Sequence, residues 1–329
     1  MLIQKGETTL TGTTTTVDLD TPVEEGKAFV MSSQSYDRDG SVGMDFVGTT
    51  VHLENVVSGN FTRLRFNRGS SGSGNPTIHW QVVSGDELNV QYGSATSSGS
   101  QSISTVDTAK AFPILHFSTT GSFNSHGFMT AELTSTSLDL LGNTGTMRWQ
   151  VVEWDGATVA RYAAGTTGSD INISITSVDL GTTFAYVTSR PTSTSNMRDM
   201  AISSRFTSAT NLRIDRDNNG GSLDVQAYVV TIPESRVISN TSQYTYTGPS
   251  EDLDISGAGG VDPDSTFMVS SWYGSFAQSS MRNATRHKIH NSNTLRFQMD
   301  DSLTTPISYF AVEIAEPTPQ NTGNFLACM

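Results

Sequence analysis

The chain has 329 residues, 32 acidic against 19 basic side chains, a net charge of −13, and only 35% hydrophobic and 16% charged residues. That balance excludes a nucleic-acid binder, which needs a cationic face to displace counterions, and the Val, Phe, Ile and Tyr content is too high for a disordered chain. Ser, Thr, Gly and Asn fill the gap, a mix suited to short strands and turns; no window holds apolar residues at i, i+3, i+4 and i+7 over several turns.

Met1-Leu2-Ile3-Gln4-Lys5-Gly6 has no apolar stretch of the signal-peptide kind, and no run approaches ~18 apolar residues, so neither a leader nor a membrane span is expected. The lone cysteine, Cys328, forms no intramolecular disulfide.

In chain order the elements repeat four times. Each unit opens on an apolar residue near a small or polar one: Ile3-Gln4-Lys5-Gly6, Val90-Gln91-Tyr92-Gly93, Val159-Ala160-Arg161-Tyr162 and Val237-Ile238-Ser239-Asn240. A Thr/Ser-rich strand and an Asp-containing turn follow. Then comes a strand led by Phe29, Phe112, Phe184 or Phe267, as in Lys27-Ala28-Phe29-Val30. A polar loop leads to a further strand around Val51, Ala131, Ser204 or His287. The next strand carries Leu64-Arg65-Phe66, Leu138-Asp139-Leu140, Leu212-Arg213-Ile214 or Leu295-Arg296-Phe297, whose alternation predicts one core face and one wet face.

The last strand of each unit is the most distinctive. Met147-Arg148-Trp149-Gln150-Val151-Val152-Glu153-Trp154 is nearly duplicated by Ile78-His79-Trp80-Gln81-Val82-Val83. Weaker copies stand at Val225–Val230 and Ile307–Ile314. Read with period 2 it is a half-buried strand, with Met147, Trp149, Val151 and Glu153 on one face.

The sequence therefore predicts an all-β chain of four tandem small antiparallel β-sandwich repeats, each with five or six strands: 1–87, 88–156, 157–235 and 236–316, with an extended tail at 317–329. Junctions as short as Trp154-Asp155-Gly156 predict a stiff rod or a compact pseudo-symmetric block.

Candidate chemistry is sparse. Asp215-Arg216-Asp217-Asn218-Asn219-Gly220 matches the first half of a calcium loop, but the twelfth position is Gln226 instead of a bidentate Glu. The segment also stands where the first unit has Arg68–Gly72, so it reads as a hairpin turn, as does Asp37-Arg38-Asp39-Gly40. His287 and His290 fall on opposite faces of a strand, and His52, His79, His116 and His126 are scattered, so no metal site is expected. No Ser occupies a strand-to-helix elbow. Asp139, Glu153, Glu132, Glu251 and Asp252 are the carboxylates open to a glycosidase reading. Arg65, Arg213 and Arg296 recur by unit, either gripping an acidic partner or covering a sheet face. Trp272, Tyr273, Trp154 and Tyr92 read as core or sugar-stacking aromatics. No catalytic, cofactor or metal residue is assigned.

Taken as an ensemble, the Lys-Ala-Phe-Val, Leu-Arg-Phe and Trp-Gln-Val-Val strings resemble tandem β-sandwich proteins of tailed-bacteriophage virions. The third unit departs from the pattern, with Ala227 in place of the Trp. The resemblance implies a non-enzymatic structural protein on the outer surface of a particle, made in the host cytoplasm. It would be a capsid decoration or cement protein bound to the major capsid protein or other virion proteins and associating with its own copies. The alternative it implies is a tail, baseplate or fibre component binding a host surface glycan. In outline the units are also similar to H-type lectins, a likeness of fold alone.

Overall fold

The computed structural model describes residues 1–36, 48–69, 75–118, 129–142, 145–192, 201–216, 221–273, 285–299 and 304–314. The chain is all-β. Its first unit has strands β1 (Leu2–Thr9), β2 (Thr14–Glu24), β3 (Ala28–Tyr36), β4 (Thr49–Val57), β5 (Asn60–Arg68) and β6 (Pro76–Ser84). The second has β7 (Leu88–Ala95), β8 (Gly99–Ser102), β9 (Ala111–Ser118), β10 (Met129–Leu133), β11 (Ser137–Gly142) and β12 (Thr146–Trp154). The third has β13 (Thr158–Thr166), β14 (Asp170–Ser174), β15 (Thr183–Pro191), β16 (Ser203–Ser208), β17 (Asn211–Asp215) and β18 (Leu223–Thr231). The fourth has β19 (Ser235–Ser239), β20 (Tyr244–Thr247), β21 (Ser250–Asp254), β22 (Thr266–Trp272), β23 (Arg286–Asn291), β24 (Thr294–Gln298) and β25 (Thr304–Ile314). Residues 85–87, 155–157 and 232–234 join the units.

Every unit pairs its strands in one pattern. The opening strand and the Phe strand flank the Trp-Gln-Val-Val strand, as in β1-β6-β3, while β2-β5-β4 and its counterparts form the second sheet; all pairs are antiparallel. The opening segment is thus a full strand, and the complete count is six. In the fourth unit this strand is interrupted, so β19 and β20 both pair β25. Asn240 bridges the break: its Oδ1 accepts from the Tyr309 N–H at 2.8 Å and its Nδ2 donates to the Ile307 carbonyl at 3.0 Å.

The second sheets behave as alternation predicts. On β5, Phe61, Leu64 and Phe66 are buried while Arg63 and Arg65 point outward. The recurrent arginines are tied to the chain's own carboxylates: Arg65 to Glu54 at 3.2 Å, Arg213 to Asp215 at 2.7 Å, and Arg296 to Asp252 at 2.6 and 2.7 Å. The two solvent-exposed pairs, Arg65–Glu54 and Arg296–Asp252, contribute at most ~1 kcal/mol each.

The Trp-Gln-Val-Val strands depart from the half-buried reading. On β12, Met147, Trp149, Gln150, Val151, Val152 and Trp154 are all buried, leaving only Arg148 and Glu153 half-buried on the inner stretch. One face fills the sandwich of its own unit. The other faces neighbouring units, with Gln150 on Val30 and Trp154 on Phe29 and Phe267, because the four units close into a ring.

At its centre stand the four Phe that lead the third strands. Phe29–Phe112, Phe112–Phe184, Phe184–Phe267 and Phe267–Phe29 have ring centroids 6.4, 6.0, 5.8 and 6.1 Å apart, with interplanar angles of 78°, 83°, 88° and 88°. Each ring presents its edge to the next, the arrangement that the aromatic quadrupole favours, at ~0.5–1.5 kcal/mol per pair beyond burial. Trp154 packs on Phe29 and Phe267. All four Phe are essentially inaccessible to solvent. The compact pseudo-symmetric block is therefore the arrangement adopted, not the rod.

A change of volume explains the missing Trp of the third unit. Gly6 lies opposite Trp80 and Gly93 opposite Trp149, and a Cβ at either glycine would run into the indole. In the third unit the pair is Tyr162 opposite Ala227. The large side chain has moved to the partner strand, and the Tyr162 hydroxyl accepts from the Thr176 N–H at 2.9 Å.

Candidate functional site

The ring is held by one contact rule applied four times. The fourth strand of each unit packs on the third and sixth strands of the next: β4 on β9 and β12, β10 on β15 and β18, β16 on β22 and β25, and β23 on β3 and β6. The last of these closes the circle. The third strand is a sheet edge, so its outward N–H and C=O groups need partners. At Val30 they find the carboxamide of Gln150, which accepts from the Val30 N–H and donates to its C=O, both at 2.8 Å. Gln81 does the same for Met268 at 2.8 and 3.1 Å. Each Gln thus stands in for a peptide group of an absent strand.

At the other two joints the residue type changes, and between the second and third units the reason is visible in the neighbour. The second unit has Pro113 where the first has Val30, and proline offers no N–H. The third unit accordingly carries Tyr228, whose hydroxyl accepts from the Leu133 N–H at 3.1 Å and donates to the Ala131 carbonyl at 2.8 Å. The fourth carries Phe310, packed on Phe206 with centroids 5.6 Å apart. Opening strands reach the preceding unit too: Lys5 bonds the Pro263 carbonyl, Tyr92 the Ala28 carbonyl, and Arg161 pairs with Glu132 at 2.6 Å.

Beyond the Phe layer the third strands become polar. Two residues on from each Phe stand Met31, Ile114, Tyr186 and Val269; two further on stand Ser33, His116, Thr188 and Ser271. Here all four units contribute to one cavity of about 290 Å³ on the pseudo-four-fold axis. Thr49, Thr285 and His287 from the fourth strands and their approaches complete its wall. Among the described residues no carboxylate, ammonium or guanidinium lines it. Ser33 and Ser271 are committed to the ring: their hydroxyls accept from the His287 N–H at 3.1 Å and the Ser204 N–H at 2.8 Å.

The two imidazoles are fully enclosed. Burial pushes His116 and His287 down to about 4, so both are neutral near pH 7. His116 bonds the main chain of Val51; His287 bonds that of Met268 and the Ser270 hydroxyl. His116 Nδ1, His287 Nε2 and Thr49 Oγ1 have no hydrogen-bond partner among the described residues. His52, beside His116 and Arg148, is pushed down to about 4 by burial and then by the neighbouring guanidinium charges. His79, near His287, is lowered in the same way. These four histidines all lie at the two joints that flank the first unit.

Ser270 and His287 are the hydroxyl–imidazole pair that a hydrolase would use. With its basicity pushed down to about 4, His287 is far from the range of a general base working near neutrality. The carboxylates considered from sequence are otherwise engaged: Glu132 with Arg161, Asp252 with Arg296, Glu251 with the Tyr244 hydroxyl, and Glu153 with the Asp107 N–H at 2.7 Å and Asn89 at 2.9 Å. Asp139 lies opposite Glu132 across a strand pair.

Among the described residues no group of three or more His, Cys, Asp or Glu is placed to hold a metal ion. Asp215 is buried between Arg205 and Arg213, and Arg216 donates to the Gly168 and Gly221 carbonyls at 2.7 Å. The rest of the calcium-like turn, 217–220, lies outside the described residues, as do Asp37–Gly40, His126, Cys328 and the tail from 317. Trp154 is a core residue and Tyr92 a joint residue, whereas Trp272 reaches the axial cavity.

The chain matches no protein-family model, and no curated protein matches it.

Proposed function

We propose that the chain is a non-enzymatic structural protein of a tailed-bacteriophage virion, acting as a decoration protein on the outer surface of the head. The observation that carries this reading is the fusion of four like units into one ring through the Phe tetrad and the glutamine clamps. Such a block presents one kind of surface four times at fixed spacing. Several individually weak contacts to a repeating shell then add up through effective concentration instead of through any single strong site. Its partners would be the major capsid protein and further copies of itself. Mass spectrometry of purified particles tests the assignment. A copy number near that of the shell protein supports it; a handful of copies assigns the block to the tail or fibre instead, and absence from the particle rejects both.

A further inference from the structure

We propose that the apolar segment Phe325-Leu326-Ala327-Cys328-Met329 docks on Val56 and Val57 of the same chain, at the tip of a hairpin arm that the other three units lack. The inference goes beyond the virion assignment and holds wherever in a particle the block sits. The arm is an addition to the common fold. Ten residues, 54–63, separate Leu53 from its cross-strand partner Leu64. Only four, five and five separate Leu133 from Leu138, Phe206 from Leu212 and Ile289 from Leu295. β2 lengthens to match, with 11 residues where β8, β14 and β21 have 4, 5 and 5. The arm is firmly built. Val57-Ser58-Gly59-Asn60 closes it with φ of 53° at Ser58 and 80° at Gly59, the left-handed pair of a two-residue hairpin turn. Phe61 packs edge-on against Tyr92 of the second unit, with centroids 5.4 Å apart. Its tip is apolar where the other hairpins turn on small or polar residues. Val56 and Val57 are 46% and 53% exposed, and with Leu2 they are the exposed large hydrophobics among the described residues.

Position, reach and charge select the occupant. Glu24 pairs with Asn60 at the arm's tip, and two residues on the Gly26 carbonyl accepts from the Val90 N–H at 2.8 Å, so the arm stands at the end of the block where the units are joined. Ile314, paired with Ser235 just past the third junction, closes the last strand at that same end. The internal stretches outside the described residues join strand ends at the opposite end, which leaves the segment from 315 onward to cover the tip. Its course follows from the repeat. The valine opposite each Phe lies seven residues before the next unit's opening residue: Val83 before Val90, Val152 before Val159, Val230 before Val237. The fourth unit contacts the first as each unit contacts its successor, so the same step from Val312 brings residue 319 beside Ile3. That strand adjoins the arm: Gln4 accepts from the Thr21 N–H at 2.9 Å and donates to the Thr21 carbonyl at 2.7 Å. From residue 319 to Phe325 the chain spans up to roughly 20 Å, and three strands ~4.8 Å apart make the arm about 10 Å wide. Residues 317–329 carry no charged side chain, whereas Asp20, Glu24 and Glu25 stand exposed on the arm's rim. An uncharged apolar segment suits that rim; the body of a second copy, with net charge −13, is repelled by it. Val56 follows the turn-closing pair and points its N–H and C=O out of the sheet, so an extended segment can add to this edge of β4.

The test uses the lone cysteine as it stands. A nitroxide placed on Cys328 of the full, isotope-labelled chain broadens the NMR signals of nearby amides. The proposal requires loss of the Val56, Val57 and Ser58 signals and their return when the nitroxide is reduced, while Ser135, Ser208 and Ser292 at the other hairpin turns keep theirs. Val56→Thr combined with Val57→Thr keeps β-branched side chains at two exposed positions, so the melting temperature should hold, and it should restore the Ser58 signal. Unbroadened amides at 56–58 overturn the proposal, as does equal broadening at all four turns or broadening that survives the threonine pair. Mixing spin-labelled chains without isotope with isotope-labelled chains without the nitroxide separates the source: broadening at 56–58 in that mixture assigns the docked segment to a second copy and also overturns the proposal.

Discussion

Replacing Gln150 by Leu isolates the device that fastens the second unit to the first. Leu fills nearly the same volume, so little packing is lost, but the Val30 N–H and C=O lose their partners at 2.8 Å while staying buried. A buried main-chain group left unsatisfied costs ~1–3 kcal/mol, so the pair predicts a loss of about 2–6 kcal/mol. That is a large share of the ~5–15 kcal/mol that separates a typical native domain from its unfolded chain. Gln81→Leu should cost a similar amount, since the same two bonds join it to Met268. Urea unfolding followed by tryptophan fluorescence measures the loss. Amide hydrogen exchange localises it, because the Val30 amide should exchange faster in Gln150→Leu and the Met268 amide in Gln81→Leu. A change below ~0.5 kcal/mol with Val30 exchange unaltered would refute the argument that these carboxamides replace a missing strand.

Three further outcomes follow from the same contacts. Acid should loosen the joints around the first unit. His116 and His287 sit at about 4 in the folded chain against ~6.5 when unfolded, so the unfolded state binds more protons across that window. Stability is then full above about pH 6.5 and falls as pH drops towards 4, by about 3 kcal/mol per imidazole at the limit; hydrogen exchange at stepped pH should show β3, β4 and β6 losing protection first, and a flat profile from pH 7 to 4.5 would contradict it. Gly93→Tyr alone should prevent the second unit from folding, because the side chain meets the Trp149 indole, whereas Gly93→Tyr with Trp149→Ala copies the Tyr162–Ala227 pair and should recover folding in circular dichroism melts; equal damage in the single and double variants would break the volume argument. Phe184→Ala removes two edge-to-face contacts and a fully buried ring, and should cost ~3–5 kcal/mol in urea titrations; a loss below ~1 kcal/mol would mean that the tetrad is not a core.

The fold class was legible in the sequence because its signals are local. Alternation on Leu64-Arg65-Phe66 and the four-fold recurrence of Phe29, Phe112, Phe184 and Phe267 need no knowledge of distant neighbours. The ring was not legible because its signals are relational. Gln81 and Gln150 look like the polar positions of a half-buried strand, yet they are buried because a neighbouring sheet edge needs a peptide-like partner. The unbroken run Gln150-Val151-Val152 was the available hint, since such runs mark strands covered on both faces. Ala227 departs from the repeat as a string, and the compensation lies in Tyr162 on the partner strand, 65 residues away in the chain, where the string does not show it. The axial cavity draws its wall from residues scattered between Ser32 and His287, each ordinary in its own unit, so spacing along the chain carries no trace of it.

The ring itself is best tested by small-angle X-ray scattering on the monomer peak from a sizing column. Four units closed about one axis predict a radius of gyration of ~20 Å, the value for a compact chain of this length. A rod of four sandwiches end to end would give ~35 Å, nearly twice as large, and an elongated pair-distance distribution. That result would remove the Phe tetrad, the glutamine clamps and the axial cavity together.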